Sequence, residues 1–272
     1  MTAKQDLSKQ HNFKFVLCYL NKGVGEIILN RPEVHNAFDE AMIAELICAI
    51  DNLSNNSNCK LLILRANGKH FSAGADLNWM RKQADMDFDH NVNDAKQLSL
   101  LMNKLDIFPK PSIVLVNGAA FGGALGLICA CDIAIANRDA KFCLSEVSLG
   151  LIPAVISPYV IRTMGQRNAR RYMLTAERFN AETAKKLNII HEIDNDFDAA
   201  LTAFIPSILK NSPKAMLAAK KLIKVQENGV IDNDLLNFTA EQIASIRSSK
   251  EGQEGLTAFF EKRKPKWNHD DN

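Results

Sequence analysis

Several common functional classes are excluded by what this sequence lacks. A membrane span needs about 20 residues of unbroken apolar character. The longest apolar stretch, Ile113 to Ala136, is interrupted by Asn117, Asp132 and small-residue turns. The opening residues, MTAKQDLSKQHNFKF, contain no apolar core of a signal peptide, so a cytoplasmic protein is expected. Neither charge sign dominates: 33 Lys and Arg stand against 31 Asp and Glu. That balance argues against an extended nucleic-acid surface. A paired cysteine framework is also absent. Cys18, Cys48, Cys59, Cys129, Cys131 and Cys143 are scattered in apolar surroundings. Cys129 and Cys131 have neither a second pair nor a histidine at ligand spacing, so buried reduced thiols are expected and no metal site.

What is present fits an α/β protein. With 272 residues, 47% apolar and 24% charged, the chain can bury one large core, with or without a smaller appendage. FKFVLCYL and GVGEIILNRP read as two strands joined by a turn at Asn21–Lys22–Gly23. DEAMIAELICAIDNLS carries apolar residues at helical spacing, with Asp39 as its N-cap. KLLILRA, SIVLV and DIAIAN read as buried strands, separated by helical stretches. From Ser157 onward the segments read helical, and their amphipathic faces require cover from the core or from a neighbouring subunit.

The segment VNGAAFGGALGLICACD, Val116 to Asp132, follows the strand SIVLV and holds Gly118, Gly122, Gly123 and Gly126. A phosphate-binding P-loop requires Lys and then Ser or Thr after its glycines; here Leu127, Ile128 and Cys129 follow. The glycine spacing is also wrong for a dinucleotide fingerprint. Two readings stay open: close packing of helix on strand, and a turn whose backbone N–H groups stabilise an anion. A second Gly/Ala turn after a strand, HFSAGADLNWM, offers a second donor of the same kind.

HFSAGADLNWM, VNGAAFGGALGLICACDIAIA and FCLSEVSLGLIPAVISPYVIRTMG resemble the signature segments of the enoyl-CoA hydratase/isomerase (crotonase) superfamily. LNRPEVHNAFD, LTAERFNAETAKKLNII and GLTAFFEKRKPKW extend the resemblance over roughly residues 13 to 268. It implies a crotonase-like α/β spiral of β-β-α turns over residues 13–200 and a helical C-terminal trimerisation or lid region over 201–268. It also implies a homotrimer or dimer of trimers acting on an acyl-CoA thioester, with no separate cofactor.

By motif position, the resemblance implies that the N–H groups of Ala73 and Gly123 form an oxyanion hole. Ala73, Gly74, Ala75 and Asp76 would contact CoA, and Asp76 would also cap the next helix. Phe259 and Lys262 would lie near the CoA nucleotide, where a cation meets the phosphate. Glu146, in LSEVSLGLIP, takes the position of one of the two glutamates of the family's hydratases. Apolar neighbours Phe142, Leu144, Val147, Leu149 and Leu151 would desolvate it and raise its pKa. The other glutamate falls on Gly126, and AVISPYV replaces a glycine-rich segment, which would reshape the acyl pocket.

With one carboxylate, hydration of a 2-enoyl-CoA and migration of a double bond are both drawn through Glu146. The wording is similar to bacterial methylglutaconyl-CoA hydratase-like proteins, which implies a branched or carboxylated acyl group and a place in leucine or fatty-acid breakdown. A non-catalytic acyl-CoA- or RNA-binding relative is the alternative of a different class.

Overall fold

A computed structural model describes residues 5–226 and 229–268. The chain divides into two compact units. The first runs to Phe108 and from Ser112 to Ala200; the second takes Pro109–Pro111 and the described residues from Leu201 on.

In the first unit the elements are β1 (Gln5–Asp6), α1 (Leu7–Gln10), β2 (Val16–Asn21), β3 (Val24–Leu29), α2 (Glu40–Asn55), β4 (Leu61–Ala66), α3 (Leu77–Ala84), α4 (Phe88–Asp106), β5 (Ser112–Val116), β6 (Ala119–Phe121), α5 (Gly123–Ala130), β7 (Ile133–Ala136), β8 (Lys141–Cys143), α6 (Ser157–Thr175), β9 (Phe179–Asn180), α7 (Ala181–Lys186) and β10 (Glu192–Ile193). Seven strands form one sheet in the order β1-β2-β3-β4-β5-β7-β10, and β6-β8-β9 form a second. This mixed α/β architecture is the fold class expected.

The hairpin β2–β3 pairs Val16 with Leu29 through Asn21 with Val24. Its turn places Lys22 at φ 46° and Gly23 at φ 83°, the double positive φ that suits the right-handed twist of a hairpin. From β3 to β10 every neighbour is parallel. Parallel strands are covered on both faces, which is why Leu61–Leu64 and Ile113–Val116 are continuous apolar runs, all buried. Helix α2 turns Met42, Ile43, Leu46, Ala49, Ile50 and Leu53 into that core. Among the described residues no helix is long and apolar enough to cross a membrane.

The second sheet was not foreseen. Its strands are two or three residues long, too short to show alternation. Its inner face is carried by Ala120 and by Phe142 stacked on Phe179, ring centroids 5.5 Å apart. The six cysteines are free thiols, four of them buried; Cys48 and Cys131 are only half-buried, against expectation.

Helix α8 (Phe197–Leu209) crosses the boundary between the units, and the second unit continues with α9 (Pro213–Val225), α10 (Asn233–Ser248) and α11 (Lys250–Phe260). Glu251 joins Ser212 and the Lys214 N–H, tying α11 to the start of α9. Trp267 lies on Gly255 and donates its indole N–H to the Lys210 carbonyl at 3.1 Å. Ile223, Ile231, Leu236, Phe259 and Phe260 remain exposed, so part of the apolar surface here is uncovered in the single chain.

Candidate active site

The two Gly/Ala turns are stitched together by backbone. Ser72 accepts from the Phe121 N–H and donates to the Ala119 carbonyl, each at 3.0 Å. Gly122, at φ 53° and ψ −123°, then turns the chain into α5, and its N–H is held by the Cys143 carbonyl at 2.9 Å. The next N–H, of Gly123, opens the helix and donates to nothing among the described residues. An N–H in the first turn of a helix has no partner within it, so this one is available to an anion.

The first turn corrects the sequence reading. The Ala73 N–H is donated to the His35 carbonyl at 3.0 Å, so it is spent on structure. Gly74, at φ 96°, swings the chain before Ala75. Phe38 and Ala75 form a parallel bridge: the Phe38 N–H reaches the Gly74 carbonyl at 2.7 Å and the Asp76 N–H reaches the Phe38 carbonyl at 2.8 Å. In such a bridge the middle residue points its own N–H away from the partner strand. Ala75 therefore carries the unclaimed N–H of this turn; it donates to nothing among the described residues. Motif position alone did not separate Ala73 from Ala75, because the difference lies in the rotation at Gly74.

Glu146 opens a short 3₁₀ turn, Glu146–Leu149, directly after β8. Its Oε1 lies 3.2 Å from the point a Cβ on Gly122 would occupy, and that same point is 4.0 Å from the Gly74 Cα. Three sequence-distant motifs thus meet at one place. Glu146 Oε2 is buried and has no hydrogen-bond partner among the described residues. Burial pushes the carboxyl above its ordinary range, opposed only by a hydrogen bond from its own backbone N–H. Of the apolar neighbours in sequence, Phe142 and Leu144 are buried, whereas Leu149 and Leu151 are exposed.

Gly126 faces α4 and the segment before α6. A Cβ there would collide with Ile156 Cγ2 and lie 2.9 Å from Met102 Sδ. Ile156 and Met102 are both fully packed, at 2% and 0% exposure. The space a second carboxylate would need is filled by Ile156, a residue of the AVISPYV segment.

Asp76 caps α3, its Oδ1 accepting from the Asn78 and Trp79 N–H groups at 2.8 and 3.2 Å. Phe259 and Lys262 belong to the second unit; Phe259 is 77% exposed and packs edge-on against Phe260. Sequence reasoning assigned no role to Arg31, Phe38 or Ile156. They lie in the segments LNRPEVHNAFD and AVISPYV, where the residue pattern alone gives no reason for these side chains.

A half-buried carboxyl resting on a glycine turn, with two N–H groups nearby that donate to nothing among the described residues, is a set of groups chemically suited to holding an anion and moving a proton. The sequence profile of the enoyl-CoA hydratase/isomerase family matches residues 20–270, and the chain belongs to that family, the crotonase superfamily. An enoyl-CoA hydratase from Shewanella pealeana is 61% identical, with a TM-score of 0.94 over 94% of this chain and 97% of that one. The mitochondrial Delta(3,5)-Delta(2,4)-dienoyl-CoA isomerase of Dictyostelium discoideum is 28% identical over 97% of this chain and 94% of its own length. The 2,3-dehydroadipyl-CoA hydratase of Escherichia coli is 28% identical over 88% of this chain and 92% of its own.

Proposed function

We propose that this enzyme adds water to the double bond of a 2-enoyl-CoA through a thioester enolate, with Glu146 as its single proton-transfer residue. The observation that carries the reading is the position of the Glu146 carboxyl on Gly122, desolvated and with Oε2 unpartnered. As water attacks the β-carbon, Glu146 takes its proton and charge moves onto the thioester oxygen. The Ala75 and Gly123 N–H groups receive that charge, a contribution of about 3 kcal/mol per donor in sites of this kind. Glu146 then returns the proton to the α-carbon, so one carboxyl serves as base and acid in turn.

A second reading, migration of the double bond, is favoured by the packing at Gly126. With Ile156 and Met102 filling that position, no second carboxylate assists the water. A lone carboxyl that removes a proton from one carbon and returns it to another needs no such help. The relatives include enzymes named for each reaction.

For the acyl group we propose a branched or carboxylated chain, as in methylglutaconyl-CoA; a relative named for dehydroadipyl-CoA supports this. Phe259 and Lys262 are proposed to meet the CoA nucleotide, and the exposed apolar side chains of the second unit favour a homotrimer or dimer of trimers. Incubation with 2-enoyl- and 3-enoyl-CoAs, including methylglutaconyl-CoA, separates the readings by the absorbance of the conjugated thioester. Loss of conjugation from 2-enoyl-CoA supports hydration, and its gain from 3-enoyl-CoA supports isomerisation. Tight binding without turnover of any acyl-CoA would contradict both.

A further inference from the structure

Two carboxylates, Asp39 and Asp76, cap the starts of the consecutive helices α2 and α3, and each divides its oxygens in the same way. Asp39 Oδ1 accepts from the Met42 N–H at 2.8 Å, and Asp76 Oδ1 accepts from the Asn78 N–H at 2.8 Å. Their Oδ2 atoms both turn to Arg31, at 2.8 Å from Nη1 and 3.3 Å from Nη2. Arg31 Nη1 also donates to the Ala37 carbonyl at 2.9 Å, and the guanidinium sits 4.7 Å from the Phe15 ring centroid. The side chain is 11% exposed, and its Nε is buried with no acceptor among the described residues. An arginine this enclosed is held by geometry that a lysine's single point charge does not reproduce.

The residues it grips have a particular place. Asp39 follows Phe38, and Asp76 follows Ala75, the two members of the parallel bridge. Arg31 thus clamps the chain immediately after both halves of that bridge. Phe38 carries the link onward: its ring Cδ2 lies 3.6 Å from where a Cβ on Gly123 would sit. One backbone-paired phenylalanine therefore spaces the two unclaimed N–H groups, and one guanidinium fixes it in register.

We infer that Arg31 is a positioning residue for the anion site, setting the Ala75 N–H through Asp39 and Asp76. The inference rests on the function proposed above. Its consequence is a loss confined to the step in which charge develops. A donor misplaced by a fraction of an ångström binds the thioester almost as well as before and the enolate less well.

The test uses the full chain and three variants, Arg31→Lys, Arg31→Met and a triple variant. Arg31→Lys is expected to lower kcat roughly ten- to hundredfold with KM within about twofold. The triple variant Arg31→Met/Asp39→Asn/Asp76→Asn removes the cation and both charges while asparagine keeps the helix caps. It is expected to regain the thermal stability that Arg31→Met alone loses, yet to keep the kcat deficit. Wild-type kcat in Arg31→Lys or in the triple variant would overturn the inference; in the triple variant, a residue that only offset the Asp39 and Asp76 charges would be dispensable once they are gone. A third arm is independent of turnover: in protein labelled with ¹⁵N-alanine, the Ala75 amide resonance is expected to move in Arg31→Lys. An unmoved resonance also overturns the clamp. If wild-type protein turns over no enoyl-CoA while the resonance moves, the proposed function fails and the clamp stands.

Discussion

Ile156 occupies the space that a side chain at Gly126 would enter: its Cβ lies 3.0 Å from the position a Gly126 Cβ would take. The two residues are therefore one feature. A glutamate placed at 126 alone would force Ile156 and Met102 aside, at a cost of about 1–3 kcal/mol for overpacking before any charge is buried. Gly126→Glu is expected to lower the melting temperature and leave hydration no faster. Gly126→Glu with Ile156→Ala is expected to recover stability, and hydration of simple enoyl-CoAs should rise if the new carboxylate reaches water. Thermal melts beside a hydration assay check both halves.

The exchange of Ala73 for Ala75 as donor is open to a direct comparison. The Ala75 N–H donates to nothing among the described residues, whereas that of Ala73 holds the His35 carbonyl. Ala75→Pro removes the donor and is expected to cost about 10²–10³ in kcat with a small change in melting temperature. Ala73→Pro breaks a backbone bond and is expected to fall mainly on stability. The opposite pattern would restore Ala73 as the donor.

These corrections mark where the sequence stopped being legible. The hairpin at Asn21–Lys22–Gly23, the capping roles of Asp39 and Asp76, and the buried parallel strands all follow from local chemistry, and the structure has them. The glycine turn and Glu146 were legible as motifs. Which N–H is free was not, because it depends on one backbone rotation at Gly74 and on what His35 and Phe38 accept from across the fold. The short strands β6, β8 and β9 were missed because two or three residues carry no period. Yet they bring Gly122 to Cys143 and so place Glu146. The packing of Ile156 on Gly126 joins positions 30 residues apart and shows only in three dimensions.

Stability should depend on pH through His70. Its Nδ1 accepts the Ala119 N–H at 3.0 Å, which requires the unprotonated ring. Burial, then the neighbouring His35 and Lys69, hold its pKa below the ordinary 6.5. The unfolded chain therefore binds this proton more readily, and folding stability is lost as pH falls from about 6.5 through the lowered value. Urea unfolding at pH 7.5 and 5.5 should show a difference that His70→Asn reduces.

Glu146 has the opposite sign. Its folded pKa is raised by burial, so the folded state holds the proton more tightly than the unfolded chain. Stability then declines as pH rises from the ordinary carboxylate value of 4.5 through the raised one. Glu146→Gln is expected to melt at a higher temperature than wild type at pH 7, with the gain shrinking at acid pH. Equal melting at both pH values would show that the carboxyl is solvated.

If one carboxyl, Glu146, moves the proton, removing its charge must stop the chemistry. The most direct measurement is turnover by Glu146→Gln on the acyl-CoA that wild type uses best, with affinity for the same thioester measured separately. The expected result is a fall of at least about 10²-fold in kcat with affinity within a few-fold of wild type. The wild-type pH profile is expected to have its rising limb above the ordinary carboxylate range, because the base must lose its proton to act. A Glu146→Gln variant that binds and turns over like wild type would contradict this role for Glu146.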